Sequence, residues 1–320
     1  MSGDTQSSCT EKLRVAVLLP CYNEAKAIEK TVSQFKAALP QATIYVYDNN
    51  SSDDTAIVAA QAGAIVATER TQGKGHVVRR MFADIEADIY VLADGDATYD
   101  AASAGKMVNA LTAENLDMVV GSRVAVELLA YRRGHRFGNR LMTGLLTWIF
   151  GRTFTDILSG YRVFSRRFVK SFPALSAGFE IETEISIHAL ALRMPVTEIS
   201  TSYAPRGEGS FSKLSTMRDG WRILSTIITM FRNEKPLTFF GIISALVMFL
   251  AAALSVPLAI TYLETGLVPR LPTAVLVTGL AILAALCVFA GLILDTVALG
   301  RREMRRLAYL AHPAVGSERP

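Results

Sequence analysis

Two stretches of this chain limit what it can fold into. Residues 236–263 contain no charged side chain, and neither do residues 271–294. Each exceeds the ~20 apolar residues that span a hydrocarbon core. A soluble core helix of that length normally carries a charge somewhere, so the two stretches are expected to be transmembrane helices. The connection, residues 264–270, is short, which makes them a hairpin. They account for a chain that is 51% hydrophobic over 320 residues, with a mean hydropathy of +0.30.

Orientation follows from Lys and Arg placement. Arg218, Arg222, Arg232 and Lys235 precede the first span, and Arg301, Arg302, Arg305 and Arg306 follow the second. Only Arg270 lies between them. Both termini and residues 1–235 are therefore expected on the cytoplasmic side of the cytoplasmic (inner) membrane. The opening "MSGDTQSSCTEK" is polar and has no apolar signal segment. Cys9, Cys21 and Cys287 have no metal or disulfide spacing, as expected in a reducing compartment. The net charge of +4 suits contact with an anionic leaflet better than nucleic acid, for which there is no motif.

Residues 13–122 alternate short apolar runs with helical patterns. "LRVAVLLP", "TIYVYD", "AIVAT", "IYVLAD" and "DMVVGS" read as strands, with helices between them. Such alternation predicts an α/β domain with a mostly parallel sheet covered by helices. Ligands bind such sheets at the C-terminal ends of the strands. Polar clusters fall there: Cys21-Tyr22-Asn23-Glu24, Asp48-Asn49-Asn50, Asp94-Gly95-Asp96 and Gly121-Ser122-Arg123.

The expected segments are a polar tail (1–12), a cytosolic catalytic domain (13–213), an amphipathic helix on the membrane surface (214–235), two spans (236–263 and 271–297) and a basic cytoplasmic tail (298–320). The amphipathic segment carries Trp221, Ile223, Leu224, Ile227, Ile228 and Phe231 between basic residues; the alternative reading is a helix packed on the catalytic domain. Small residues in the spans, such as Ala281 and Ala285, permit helix–helix association, which admits a homo-oligomer.

Asp94 and Asp96 end an apolar strand one residue apart. Two carboxylates held that close need a compensating cation, and a hard divalent ion completed by phosphate oxygens supplies it. A lone Asp-x-Asp is more often a solvated turn; here the strand delivers both acids to the rim where the other clusters sit. "TQGKG", residues 71–75, offers glycines for close backbone approach and Lys74 for a phosphate. There is no G-x-G-x-x-G after the first strand, which counts against a dinucleotide oxidoreductase.

In order along residues 13–215, "LPCYNEA", "VYDNNSSDDT", "QGKG", "ADGDATYD", "VVGSR", "TDILSGYR" and "RGEGSFSKL" resemble the motifs of inverting family 2 glycosyltransferases. The likeness is to dolichyl-phosphate mannose synthases and to bacterial polyprenyl-phosphate glycosyltransferases with a two-helix C-terminal anchor. The resemblance implies a GT-A type nucleotide-sugar-binding domain that transfers a sugar from a nucleotide-diphosphate sugar to a polyprenyl phosphate such as undecaprenyl phosphate. It implies that Pro20, Tyr22 and Glu24 line the nucleoside pocket and that Asp48 holds base or ribose. Asp94 would contact the nucleotide and assist the metal, Asp96 would ligate Mg2+ or Mn2+, and Lys74, Arg206 and Lys213 would stabilise the leaving diphosphate. Arg123, Arg136, Asn139, Arg140 and Ser212 would receive the acceptor phosphate, with Arg132, Arg133 and His135 thickening the basic patch. Asp156 would act at the reaction centre, although it would serve equally as a helix cap.

Three departures from the family pattern stand out. Thr98 occupies a place where the mannose synthases have a metal-binding Gln. Asn49-Asn50 stands where the family usually reads Asp-Gly, and the Arg206-to-Lys213 motif is one residue longer. Glu180, Glu182 and Glu184 are spaced by two, which suits no single helical face; some would line the sugar pocket and others begin a helix.

A phosphate monoester has its second pKa near ~6, so the attacking oxygen is already ionised at neutral pH and needs no strong general base. What remains is alignment and stabilisation of the leaving group. Two other readings compete. A processive polysaccharide synthase would carry a Gln-x-x-Arg-Trp motif, but the nearby Trp is in "MRDGWRIL". A non-catalytic nucleotide-sugar sensor has no need of both aspartates and the phosphate-binding cations.

Overall fold

The computed structural model describes residues 13–125, 144, 147, 148, 151, 154–178, 180–204 and 216–316. The chain forms two compact units, Met1–Ile223 with Arg305–Pro320, and Leu224–Met304.

The first unit is built on strands β1 (Val15–Cys21), β2 (Thr43–Asp48), β3 (Ile65–Thr68), β4 (Ile89–Leu92), β5 (Met118–Ala125), β6 (Arg162–Ser165) and β7 (Val196–Tyr203). Helices α1 (Ile28–Ala38), α2 (Thr55–Gln61), α3 (Lys74–Asp84) and α4 (Ser103–Ala113) connect the early strands. Helices α5 (Arg166–Ser171) and α6 (Ile181–Ala191) follow β6. The sheet runs β3-β2-β1-β4-β6-β5-β7. The pairs β1–β2, β1–β4, β2–β3 and β5–β7 are parallel. Among the described strands, only β6 runs against its neighbours, β4 and β5.

Periodicity explains these elements. All of β4 is buried, as befits a strand covered on both faces. Helix α1 buries Ile28, Thr31, Val32 and Phe35, the one-face spacing of an amphipathic helix. The core on that side joins Val17, Leu19, Phe35, Val46, Val91, Met107 and Tyr161. Phe35 meets Tyr161 edge-on, with ring centroids 6.2 Å apart.

The sheet extends beyond the five strands legible in residues 13–122. β7 pairs with β5 over its whole length, from Met118 opposite Val196 to Ala125 opposite Tyr203. β6 inserts between β4 and β5. It is short and opens with Arg162, an arginine that is fully buried.

Helix α7 (Thr216–Glu234) leads into the second unit, where α8 (Pro236–Thr265) and α9 (Leu271–Leu310) are long and apolar enough to cross a membrane, and mostly exposed. α8 starts at a proline, whose missing N–H costs nothing in a first turn, and stops at Gly266, whose φ of 67° suits glycine. The helices meet through small residues: Ser244 Oγ donates to the Ala284 carbonyl at 2.8 Å. A Cβ on Gly291 would lie 3.2 Å from Phe240. α9 continues to Leu310, so the segment expected as a basic tail from 298 begins as helix.

Candidate active site

Sheet register assembles the rim. Cys21 closes β1 opposite Asp48, the last residue of β2. Leu92 of β4 is level with Leu18, so the chain leaves β4 toward Asp94 on the same side. Because β6 is antiparallel, its first residue, Arg162, lies opposite Leu92 and Val120. The loop before it, Asp156 to Tyr161, is thereby delivered to the C-terminal ends of β4 and β5.

Lys74 is the first residue of α3, and its ammonium sits between two carboxylates. Nζ is 2.5 Å from Asp94 Oδ1 and 2.6 Å from Glu182 Oε1. Burial pulls the ammonium pKa down, but Asp94 and Glu182 more than reverse this, and the net shift is upward. Lys74 is charged at any physiological pH. The backbone beneath it is clamped. Gly73, at φ 136°, donates its N–H to Asn49 Oδ1 at 2.7 Å, and Gly75 N–H bonds the Ala177 carbonyl at 3.0 Å.

Gly160 lets the "TDILSGYR" loop approach this group. A Cβ there would lie 3.0 Å from Lys74 Nζ and 3.1 Å from Asp94 Oδ2. Its N–H donates to the Tyr99 hydroxyl at 2.9 Å. Burial, and then the charge of Asp94, push the Tyr99 phenol pKa up, so it stays protonated.

Asp96 is buried, and Thr98 folds back onto it. Ala97 takes a left-handed φ of 55°, and Thr98 Oγ1 then donates to Asp96 Oδ1 at 2.6 Å. The hydroxyl at the family's metal-binding place thus orients a carboxylate. Among the described residues, no group of three or more His, Cys, Asp or Glu is arranged to hold a metal. The donor set still fits a hard divalent ion: two carboxylates supply oxygens, one of them already takes a cation in the form of Lys74, and Mg2+ ordinarily fills its shell with substrate phosphates and water.

At the β1–β2 end, Asp48 Oδ2 accepts the Ser51 N–H at 3.1 Å. Its other oxygen, Oδ1, is buried with no hydrogen-bond partner among the described residues. A buried carboxylate oxygen left unsatisfied costs free energy unless a ligand donates to it. Asn49 has a different task. Its amide donates to the carbonyls of Glu69 and Thr71 at 2.9 and 2.8 Å and fastens the loop that carries Lys74. Pro20 lies opposite Tyr47 in the sheet, Tyr22 is exposed, and Glu24 N–H bonds Thr55 Oγ1 at 2.8 Å.

Asp156 and Arg123 face one another across the far side of the rim. Arg123 Nε and Nη2 reach the two oxygens of Asp156 at 2.6 and 2.8 Å. The same guanidinium lies over the Tyr203 ring, 5.5 Å from its centroid. Arg162 supports the loop from below. It donates to the carbonyls of Ser159 and Ile157 at 2.9 and 2.7 Å and to Ser186 Oγ at 2.9 Å. Burial lowers its pKa to about 10, opposed by Glu182 and Asp156, so the fully buried guanidinium remains charged.

The structure thus brings Asp94, Lys74 and Asp156's loop together and sets Arg123 against Asp156. Arg136, Asn139, Arg140, Arg206, Ser212 and Lys213, with Arg132, Arg133 and His135, lie outside the described residues. Of the three glutamates, Glu180 stands at the N-cap position of α6 without a side-chain capping bond. Glu182 pairs with Lys74, and Glu184 accepts the N–H groups of Leu175 and Ser176 at 2.9 and 2.7 Å. What the sequence does not single out is Tyr99, Arg162 and the specific roles of Asn49 and Glu182. The signal for Arg162 was its place directly after "SGY", next to a run of apolar residues.

Comparison with known proteins sets this geometry in context. A model described as "Glycosyl transferase family 2" matches residues 16–172. The glycosyltransferase AglJ of Haloferax volcanii is 33% identical over 299 residues, which cover 92% of this chain and 98% of AglJ. Protein RfbJ of Shigella flexneri is 56% identical over 123 residues, 38% of this chain and 95% of RfbJ. Among solved structures, glucosyl-3-phosphoglycerate synthase of Mycobacterium tuberculosis, crystallised with Mn2+, UDP-glucose and phosphoglyceric acid, superposes with a TM-score of 0.57. It is 22% identical, covering 68% of this chain and 80% of that one. That similarity carries the fold.

Proposed function

Since this chain belongs to glycosyl transferase family 2, we propose that it moves a sugar from a nucleotide-diphosphate sugar onto a polyprenyl phosphate such as undecaprenyl phosphate, with inversion, at the cytoplasmic face of the membrane. The nucleotide-sugar half rests on family membership. The observation that carries the acceptor half is the pair of mostly exposed helices, Pro236–Thr265 and Leu271–Leu310. Apolar surface of that extent suits a bilayer, and an enzyme held in one is suited to an acceptor that is itself a lipid.

The site residues divide the work. Asp48 Oδ1 offers a buried acceptor for a donor N–H or O–H of base or ribose. Asp94 and Asp96 are the residues that would hold Mg2+ or Mn2+, which when bound neutralises charge on the departing diphosphate. Lys74 adds a positive charge beside the same phosphates. Arg123, with Arg136, Asn139, Arg140 and Ser212, receives the acceptor phosphate, whose oxygen attacks the anomeric carbon without prior deprotonation. Arg206 and Lys213 assist departure of the nucleoside diphosphate. Asp156 faces the anomeric carbon and steadies positive charge developing there.

Incubating the full chain in undecaprenyl-phosphate vesicles with a panel of radiolabelled nucleotide sugars tests this reading. Label from one donor is expected in the organic phase as a mild-acid-labile lipid monophosphate sugar. Growth of a polymer in place of that product would favour a processive synthase.

A further inference from the structure

Lys74 is bound where a metal would have to work. Its ammonium contacts Asp94 Oδ1 at 2.5 Å, and its second contact, Glu182 Oε1 at 2.6 Å, comes from a different element, the first turn of α6. We propose that Lys74 is an internal counter-cation that competes with the divalent ion for Asp94, with Glu182 as the positioning residue that holds Lys74 when Asp94 is surrendered, so that metal binds well only once the donor's diphosphate has arrived. The proposal rests on the metal reading given under Proposed function and adds a coupling between metal and nucleotide to it.

Four features support the exchange. The Lys74 backbone is fixed, through Gly73 to Asn49 and Gly75 to Ala177, so relocation is confined to the side chain. That side chain is a point charge on a flexible four-carbon stem, suited to changing partners without moving the fold. Glu182 is buried, and its second oxygen, Oε2, has no hydrogen-bond partner among the described residues, so it can take the whole ammonium when Asp94 lets go. A diphosphate next to Lys74 draws the ammonium from Asp94, and the same diphosphate supplies oxygens to the ion that replaces it. Gly160 keeps this exchange uncrowded, because any larger residue would place a carbon 3.0 Å from Nζ.

The test is Mn2+ binding to the detergent-solubilised full chain, read as free Mn2+ by electron paramagnetic resonance, with and without UDP. Wild type is expected to bind Mn2+ weakly alone and much more tightly with UDP. Lys74→Met is expected to tighten nucleotide-free binding by about tenfold or more, the scale on which a contacting charge shifts a carboxylate equilibrium, and to shrink the UDP effect in proportion. Glu182→Gln is expected to weaken nucleotide-free binding when Lys74 is present and to have no effect in the Lys74→Met background. Unchanged Mn2+ affinity in Lys74→Met overturns the proposal. So does an equal Glu182→Gln effect in both backgrounds, which is what a simple loss of negative charge would give. Should Lys74→Met fail to fold, Lys74→Gln, whose amide still donates to one carboxylate, carries the same expectations. Absence of Mn2+ binding to wild type with UDP, and equally with GDP, ADP and CDP, would instead remove the metal reading itself.

Discussion

Arg123 grips both oxygens of Asp156, at 2.6 and 2.8 Å, and its own backbone N–H reaches Oδ2 at 3.3 Å. Two residues assigned separate tasks from sequence, one toward the acceptor phosphate and one toward the sugar, form one bidentate pair. Such pairs fix geometry as well as charge. Asp156→Asn should therefore lower kcat by about 10²-fold or more and also raise KM for the lipid phosphate, because Arg123 loses its anchor. Arg123→Gln should raise that KM about tenfold. In the double variant the two losses should fall short of their product, as for residues that act as a unit. Steady-state kinetics against lipid phosphate checks this, and strictly multiplicative losses would separate the two roles again.

Thr98 reads from sequence as a weak metal ligand, whereas its hydroxyl donates to Asp96 at 2.6 Å. Groups that orient a ligand in this way typically influence metal affinity by about 10–100-fold. Thr98→Ala should raise the Mg2+ or Mn2+ concentration for half-maximal activity by roughly that factor, with little change at saturating metal. Thr98→Ser, which keeps the hydroxyl, should restore most of it. A metal profile unchanged in Thr98→Ala would show that Asp96 needs no such support.

Arg162 spends three hydrogen bonds on the carbonyls of Ile157 and Ser159 and the hydroxyl of Ser186. Arg162→Met would strand those acceptors in the interior and should destabilise the domain by about 3 kcal/mol. Arg162→Lys keeps the charge but loses the planar fork, and should fall between the two. Thermal melts would order them wild type, Lys, Met. Transfer rates should fall more steeply than stability, since the loop being held carries Asp156.

His188 is packed between Phe168 and Phe172, with each ring centroid 5.3 Å away, and its Nε2 lies 3.2 Å from Ser171 Oγ. Burial, and then the charge of Arg305, lower its pKa from 6.5 to about 3. The unfolded chain therefore takes up a proton that the folded chain refuses. Stability is full above pH 6.5 and declines as pH falls from there toward about 3. The slope from this residue is at most about 1.4 kcal/mol per pH unit. Denaturant midpoints between about pH 7.5 and pH 5 lie above the usual carboxylate range and follow His188 together with His312, whose pKa burial also lowers. His188→Gln should flatten the curve there, and an equally steep curve would assign the loss to other groups.

The strand-end half of this rim was legible because its signals are local. Cys21, Asp48 and Asp94 each follow an apolar run that a parallel sheet must bury, so strand ends and polar clusters coincide in sequence. The other half was not, for two physical reasons. β6 is too short to show alternation and starts with Arg162, whose burial depends on carbonyls brought to it by the fold. Helix α6 is buried on every side from Ile181 to Ala189, so it has no polar face to betray it. The spacing by two of Glu182 and Glu184 suits no single helical face, and only tertiary contacts with Lys74 and with the backbone of Leu175 and Ser176 explain them.

The most direct measurement is release of nucleoside diphosphate by the full chain, with its preferred nucleotide sugar, in vesicles with and without polyprenyl phosphate. Release is expected only when the lipid phosphate is present, in step with formation of one lipid-linked sugar per diphosphate. Release at the same rate without the lipid would contradict a polyprenyl-phosphate acceptor.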